Sequence, residues 1–282
     1  MILKQVRKDR RDPRSCFLLE HASNVTSQFG EDGILRKLFE IIGEKSRWCV
    51  EFGAWDGRKL SNTWDLVQNR DWSGVLIEGA ASKFPKLQRT YAGNARAVCV
   101  QEIVQPTPGP GSLDDILGRT PIPAGFDLLS IDIDGNDYHV WESLTNYRPR
   151  VVVIEFNPSI PNDVIFVQDA DPAINQGSSL HALIELGRRK GYELACVTAS
   201  NAVFVRRKVY PKLGIPDNDI DLMAFPKRDG KYFDGYDGTL FHIGLSKLHS
   251  VKDVRIGPEQ LQVLEPSQRG YTNAISEESP DD

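Results

Sequence analysis

Five runs of apolar residues follow one another between residues 47 and 156, and each has the length of a buried β-strand. The runs are RWCVEF, GVLIEG, ARAVCVQEIV, FDLLSIDI and RVVVIEF, and the segments between them are long enough to hold crossover helices. Continuous apolar character, rather than alternation, is typical of parallel strands that are covered on both faces. The pattern therefore predicts a doubly wound α/β sheet.

Helical periodicity flanks these strands on both sides. The first predicted helix ends at Gly43 and carries its apolar positions on one side, at Ile34, Leu35, Leu38, Ile41 and Ile42. A later helix, LHALIELGRRKG, leads into two closely spaced strands, YELACV and AVFVRR, which we interpret as a hairpin. Five parallel strands that end in an antiparallel hairpin match the seven-stranded, Rossmann-like plan of the class I methyltransferase fold.

The charge balance and the cysteines narrow the class of protein. With 34 basic and 39 acidic residues the chain has a net charge of −5, so no overall positive field exists to gather nucleic acid. The four cysteines stand singly, without a pattern typical of disulfides. The basic N-terminus is not followed by an apolar stretch, and no run of about 18 apolar residues is present. We expect a cytoplasmic protein without nucleic-acid or membrane partners.

A glycine motif directly follows the first predicted strand. Glu51, Gly53, Trp55 and Gly57 belong to the segment EFGAWDG, which has the spacing of an acidic residue and two glycines in a nucleotide-binding turn. The dinucleotide fingerprint with three glycines is absent. Glu78, at the end of the second strand, stands where an acidic side chain accepts both ribose hydroxyls of a nucleotide. The alternative is that EFGAWDG is only a tight strand-to-helix turn.

Polar side chains also follow the fourth and fifth strands. Asp132 and Asp134 share one side of the chain, and Glu155 and Asn157 share a side. Because these strands neighbour the first one, all four residues are expected to face the same cleft. Their oxygens suit Mg²⁺ or another divalent cation. The alternative is that Asp134 and Asn136 cap the next helix or its turn while Asp132 holds an amine of the cofactor.

Two candidate catalytic residues and a candidate lid accompany this cleft. Asp132 and His139 are the candidate general bases, although a packed helical histidine is as common an outcome. Gln28 and Asp32, in the segment SQFGEDG, are predicted to fold over the cofactor together with Glu31. The alternative is that this segment is an ordinary N-terminal helix cap.

The motifs together resemble the FkbM-type methyltransferases. The matching segments lie between about residues 27 and 206 and include SQFGEDGI, VEFGAWDG, WSGVLIEG, LLSIDIDGNDYHVW and PRVVVIEFNP. The resemblance implies S-adenosylmethionine as cofactor and methylation of a hydroxyl on a small-molecule acceptor, such as a sugar or a secondary metabolite. Trp55 departs from the small residue that many relatives have at this position.

The composition along the chain suggests how it is divided. We expect an N-terminal helical lid over residues 1–45, the methyltransferase domain over 46–207, an irregular C-terminal lobe over 208–265 and a disordered tail over 266–282. Two other functions remain as alternatives. One is a non-catalytic protein that binds S-adenosylmethionine as a partner in a biosynthetic cluster, and the other is a metal-dependent hydrolase built on the acidic residues.

Overall fold

The computed structural model describes residues 8–225, 230–244, 248 and 254–270. The chain divides into two units. One consists of Asp9–Pro158 and Asn162–Phe225, and the other contains Ser159–Pro161 and the described residues from 230 onward. Residues 271–282, most of the predicted tail, lie outside the described residues. Within the described part of the chain, no helix is long and apolar enough to cross a membrane.

The larger unit is built on a seven-stranded sheet with the order β3-β2-β1-β4-β5-β7-β6. Its strands are β1 Trp48–Phe52, β2 Ser73–Ile77, β3 Ala97–Val100, β4 Leu128–Ile131, β5 Val151–Glu155, β6 Tyr192–Val197 and β7 Asn201–Arg206. The first five pair in parallel, and β7 runs antiparallel to both β5 and β6. The predicted parallel sheet with a terminal hairpin is therefore confirmed.

Helices cover both faces of this sheet. They are α1 Glu31–Ile42, α2 Trp64–Asn69, α3 Phe84–Thr90, α4 Leu113–Gly118, α5 Asp137–Ser143, α6 Leu180–Lys190 and α7 Ile220–Met223. The apolar residues of α1, α2 and α3 share one core cluster with Cys49, whereas those of α4, α5 and α6 share the other with Val50. Neighbouring residues of β1 thus enter opposite cores, which explains why its sequence is continuously apolar.

The two long helices end as their sequences predict. In α1, Gly43 follows the last turn with φ 76°, a conformation that glycine adopts without steric cost. In α6, the hydroxyl of Ser179 accepts the N–H of Ala182, and Gly191 closes the helix with φ 83°. Each helix is therefore bounded by its own local sequence.

A buried ion pair lies at the edge of the sheet where β1 and β5 begin, opposite the edge at which the parallel strands end. Asp127 is fully buried, and its carboxylate lies 2.7 Å from Arg150. The same carboxylate accepts the backbone N–H groups of Lys45, Ser46 and Arg47 at 2.7–2.9 Å. Asp127 thus fixes the approach to β1 far from the carboxyl ends of the strands.

The smaller unit contains an antiparallel hairpin. Strand β8, Lys231–Asp234, pairs with β9, Leu240–Ile243. The side-chain amide of Gln262 donates to the carbonyl oxygen of Leu240 and accepts its N–H, at 2.8 and 2.9 Å. These bonds hold the described residues around 262 beside the hairpin.

Candidate functional site

A cavity of about 660 Å³ opens at the carboxyl ends of the parallel strands. Residues at or just after the ends of β1, β2, β4 and β5 line it, as expected for a ligand site in an open α/β sheet. Most of the residues predicted to form the site line this one cavity: Gln28, Glu51, Gly53, Trp55, Glu78, Asp132, Asp134 and Glu155. Four others do not line it: Asp32, Gly57, His139 and Asn157.

Glu51 accepts hydrogen bonds from the segment that follows the glycine motif. Its carboxylate accepts hydrogen bonds from the hydroxyl of Ser61 at 2.5 Å, the N–H of Asn62 at 2.7 Å and the hydroxyl of Thr63 at 2.8 Å. Burial raises the pKa of Glu51, and these hydrogen bonds oppose the rise. Glu51 therefore shapes the cavity wall through residues 61–63, of which Asn62 also donates to Ser130.

The two glycines of the motif serve different purposes. A Cβ atom on Gly53, which has φ 74°, would lie 1.8 Å from the carbonyl oxygen of Asp132. Gly53 is thus required where the chain segments after β1 and β4 meet. A Cβ atom on Gly57 would collide with the side chains of Leu87 and Tyr91. Gly57 therefore allows α3 to pack closely and does not face the cavity.

Glu78 is held by the backbone in an orientation suited to a ribose. One carboxylate oxygen accepts the N–H of Trp55 at 2.8 Å, and the other accepts the N–H of Ala80 at 2.7 Å. Trp55 adopts φ 49°, an uncommon conformation for a bulky residue, and so presents its N–H to Glu78. Each carboxylate oxygen keeps a lone pair for a further donor.

The N-terminal segment reaches the cavity through Gln28. Asp32, in contrast, accepts the N–H groups of Val25, Thr26 and Ser27 at 2.8–2.9 Å and closes the turn before α1. The neighbouring Glu31 is also buried and accepts from Thr198 and Asn201 in the β6–β7 hairpin. The acidic residues of this segment thus anchor it, and Gln28 is its contribution to the cavity wall.

Three acidic side chains come together on the β4–β5 side. Asp132, Asp134 and Glu155 each place a carboxylate oxygen within 4.8 Å of the other two. Burial raises the pKa of both Asp132 and Glu155, and repulsion between the carboxylates adds to the shift. The two carboxyl groups also interact through a hydrogen bond, which favours a proton shared by the pair over two bare charges.

Asn136 lies beside this cluster, whereas Asn157 does not. The Asn157 amide donates to the carbonyl oxygen of Gln176 at 2.7 Å, away from the cavity. Asn136 lines the cavity, is 6% exposed, and donates its amide hydrogen to the carbonyl oxygen of Asp171 at 3.0 Å. In the described part of the chain its Oδ1 atom has no hydrogen-bond partner. Asn136, rather than the predicted Asn157, is thus the amide residue of this part of the cavity wall.

His139 contacts the long loop between β5 and α6. Its Nε2 atom lies 2.7 Å from the carbonyl oxygen of Gln168. Gln168 is 1% exposed, and its side chain accepts the N–H groups of Gln176 and Gly177 and donates to the carbonyl oxygen of Ile174. Since Asn175 of this loop lines the cavity, His139 contacts a loop that forms part of the cavity wall.

Residues that the sequence analysis did not select complete the cavity wall. Lys59 and Lys83 are the cationic side chains among its lining residues, and both place their ammonium groups over the ring of Trp55. Ser61 and Asn62 line the wall next to Glu51. The cluster of hydroxyl and amide side chains at 61–63 was the signal that Glu51 has local partners, since such residues commonly bond to a nearby carboxylate.

Comparisons with known proteins support no family assignment. No family model matches the chain, and no curated protein matches it. The predicted FkbM-type membership therefore stays a prediction.

Several solved structures match the chain at low similarity. The N-terminal domain of EvdMO1 with S-adenosylhomocysteine bound is 13% identical over 63% of this chain and 80% of that chain, with a TM-score of 0.40. The same domain in the presence of S-adenosylhomocysteine and D-fucose is 14% identical over 71% and 99%, with a TM-score of 0.41. The O-methyltransferase NcsB1 from neocarzinostatin biosynthesis is 15% identical over 63% of this chain and 57% of its own, with a TM-score of 0.35. Because identity and TM-score are this low, we infer function from the cavity itself.

Proposed function

We propose that the chain is an S-adenosylmethionine-dependent methyltransferase that methylates a hydroxyl group of a small molecule. The observation that carries this proposal is the fixed carboxylate of Glu78 at the end of β2, opposite the Gly53 turn in the same cavity. A carboxylate in this position accepts the two hydroxyls of a ribose. The cavity also has the volume of a small-molecule site.

The charges of the cavity wall suit the donor. S-adenosylmethionine supplies a methyl group on a positively charged sulfur, which needs little further activation. Glu51, Glu78 and Asp132 place carboxylates along the wall between the β2 and β4 strand ends. Carboxylates there favour the cationic sulfonium and ammonium groups of the donor over a pyrophosphate. The absence of a three-glycine phosphate turn in the sequence agrees with this preference.

The acidic cluster is suited to an acceptor hydroxyl. When the hydroxyl oxygen bonds to the methyl carbon and the carbon–sulfur bond breaks, the hydroxyl proton must leave the oxygen. Asp132 lies in the cavity and has a pKa raised by burial and by its acidic neighbours, so its carboxylate is a suitable proton acceptor. Holding the reactants in line contributes much of the rate enhancement in such a transfer.

We further propose that Asp132, Asp134 and Glu155 bind a divalent cation such as Mg²⁺. Three carboxylate oxygens within 4.8 Å of one another fit a hard cation, and Asn136 lines the same cavity. A bound cation would take the place of the proton that Asp132 and Glu155 share. It would orient the acceptor hydroxyl and lower its pKa.

The experiment for the donor site is calorimetric titration of S-adenosylhomocysteine into wild-type protein and Glu78→Ala. Charge-assisted hydrogen bonds contribute roughly 1.5–3 kcal/mol each, so the variant should bind at least about tenfold more weakly. Glu40→Ala, on the exposed face of α1, is the matched control and should leave affinity unchanged. Unchanged affinity in a folded Glu78→Ala variant would remove the ribose assignment.

A further inference from the structure

The cavity rim around Trp55 is positively charged, whereas the acidic cluster of Asp132, Asp134 and Glu155 is negatively charged. The ammonium of Lys59 lies 4.4 Å from the centroid of the Trp55 ring, and that of Lys83 lies 5.2 Å from it. The two ammonium groups are therefore within about 10 Å of each other, no more than one Debye length at 0.1 M salt. Two cations held this close to one ring repel each other.

The charge of this pair is offset only in part by the described residues. Neither lysine takes part in an ion pair within the part of the chain that the structure describes. Asp56 interacts electrostatically with Lys59, and its Oδ1 atom accepts the N–H groups of Arg58 and Lys59. Stacking on an indole contributes only about 0.5–1 kcal/mol to each exposed cation. The ammonium groups of Lys59 and Lys83 can consequently bind an anion.

Trp55 fixes where this anion would lie. Its backbone N–H is bonded to Glu78, the residue to which we assign the donor ribose, so Trp55 lies beside the proposed donor site in the same cavity. The uncommon φ of 49° at Trp55 is maintained by that bond and by the sharp turn around Gly53. The two lysines thus meet at a defined place on the rim.

We propose that Lys59 and Lys83 bind a phosphate group of the acceptor, so that the substrate is a phosphorylated small molecule. The inference rests on the proposed methyltransferase function and specifies its substrate class. A phosphate monoester carries a charge of about −1.5 to −2 at pH 7, which matches two ammonium groups better than a single carboxylate does. Lysine binds phosphate as a point charge without strict geometry, as flexible rim side chains require.

The test is calorimetric titration of inorganic pyrophosphate in metal-free buffer, with and without saturating S-adenosylhomocysteine. Wild-type protein saturated with S-adenosylhomocysteine should bind pyrophosphate, and added salt should weaken the binding. Lys59→Gln and Lys83→Gln should each weaken it about fivefold. Lys86→Gln is the matched control, because Lys86 is exposed on α3 and does not line the cavity; it should have no effect.

Two further measurements show whether the lysines bind a phosphate, another anion or the carboxylate of the donor. Malonate should bind at least about tenfold more weakly than pyrophosphate; equal or tighter binding would overturn the assignment to phosphate. Affinity for S-adenosylhomocysteine should be unchanged in Lys59→Gln and Lys83→Gln. A loss there would show that the lysines hold the carboxylate of the donor, and the proposal would be wrong.

Failure of the donor assignment is a separate result. If S-adenosylhomocysteine does not bind but pyrophosphate does, and both lysine variants weaken it, the anion site stands without the methyltransferase function. If S-adenosylhomocysteine binds and pyrophosphate does not, the anion site alone is overturned.

Discussion

The affinity of the acidic cluster for Mg²⁺ should increase with pH. Asp132 and Glu155 share a proton because burial and mutual repulsion raise the pKa of both groups. A cation that binds between them must displace this proton. Displacing one proton changes the binding free energy by about 1.4 kcal/mol per pH unit below the pKa of the pair, which is tenfold in affinity. Between pH 6 and pH 8 the dissociation constant should therefore fall by up to about 100-fold.

The pair should also affect stability when no cation is present. The folded chain holds the shared proton more tightly than the unfolded chain, in which these carboxyls titrate at about pH 4. The contribution is therefore fully present below about pH 4 and is lost as the pH rises through the raised values of the folded state. Urea unfolding in the presence of a chelator should show stability falling between pH 5 and pH 9, all else equal.

Thermal denaturation across a Mg²⁺ titration at pH 6 and pH 8 measures the effect. Glu155→Gln should remove most of the stabilisation by Mg²⁺ at pH 8, because one anionic ligand is lost. Glu44→Gln, on the surface, should behave as wild type. No stabilisation at pH 8, or stabilisation that is equal at both pH values, would refute the assignment of a cation to this cluster.

Two further predictions concern positioning and stability. Asp127→Ala should destabilise the fold by about 3–5 kcal/mol in urea unfolding, because Arg150 would remain buried without a counter-charge. The control is Glu193→Ala, which breaks an exposed ion pair with Arg207 and should destabilise the fold by less than about 1 kcal/mol. His139→Phe should raise the KM for the acceptor without changing the affinity for S-adenosylhomocysteine or the pH–rate profile, since His139 holds the Gln168 loop. A pH–rate profile that differs from that of the wild type in this variant would instead identify His139 as the base.

The sheet could be predicted from the sequence because each strand is specified by a local pattern of residues. Each parallel strand is a short apolar run, and Thr198 to Asn201 leave too little chain for anything but a hairpin. The position of Glu78 followed from the same argument, because the carboxyl end of a strand is where a nucleotide-binding fold places its acidic residue. These inferences needed no knowledge of distant contacts.

The acceptor side was harder because strand alternation stops where the strand stops. Strand β5 ends at Glu155, so the expectation that Asn157 shares its side no longer applied two residues later. Asn136 reaches the cavity wall after a turn in which Asp134 has φ 60°, and no simple periodicity describes such a turn.

The basic rim was missed for a different reason. Lys59 and Lys83 are 24 positions apart in the sequence and belong to different loops. They meet only because the segments after β1 and β2 lie side by side in the folded sheet. Likewise, the contact of His139 with Gln168 depends on the path of a long irregular loop.

The binding of S-adenosylhomocysteine to the wild-type protein tests the central claim most directly. Isothermal titration calorimetry should give saturable binding of one molecule per chain, and Glu78→Ala should weaken this binding at least about tenfold. Protein that is folded by circular dichroism and shows neither heat nor a thermal shift at millimolar S-adenosylhomocysteine would contradict the assignment of this cavity to a methyl donor.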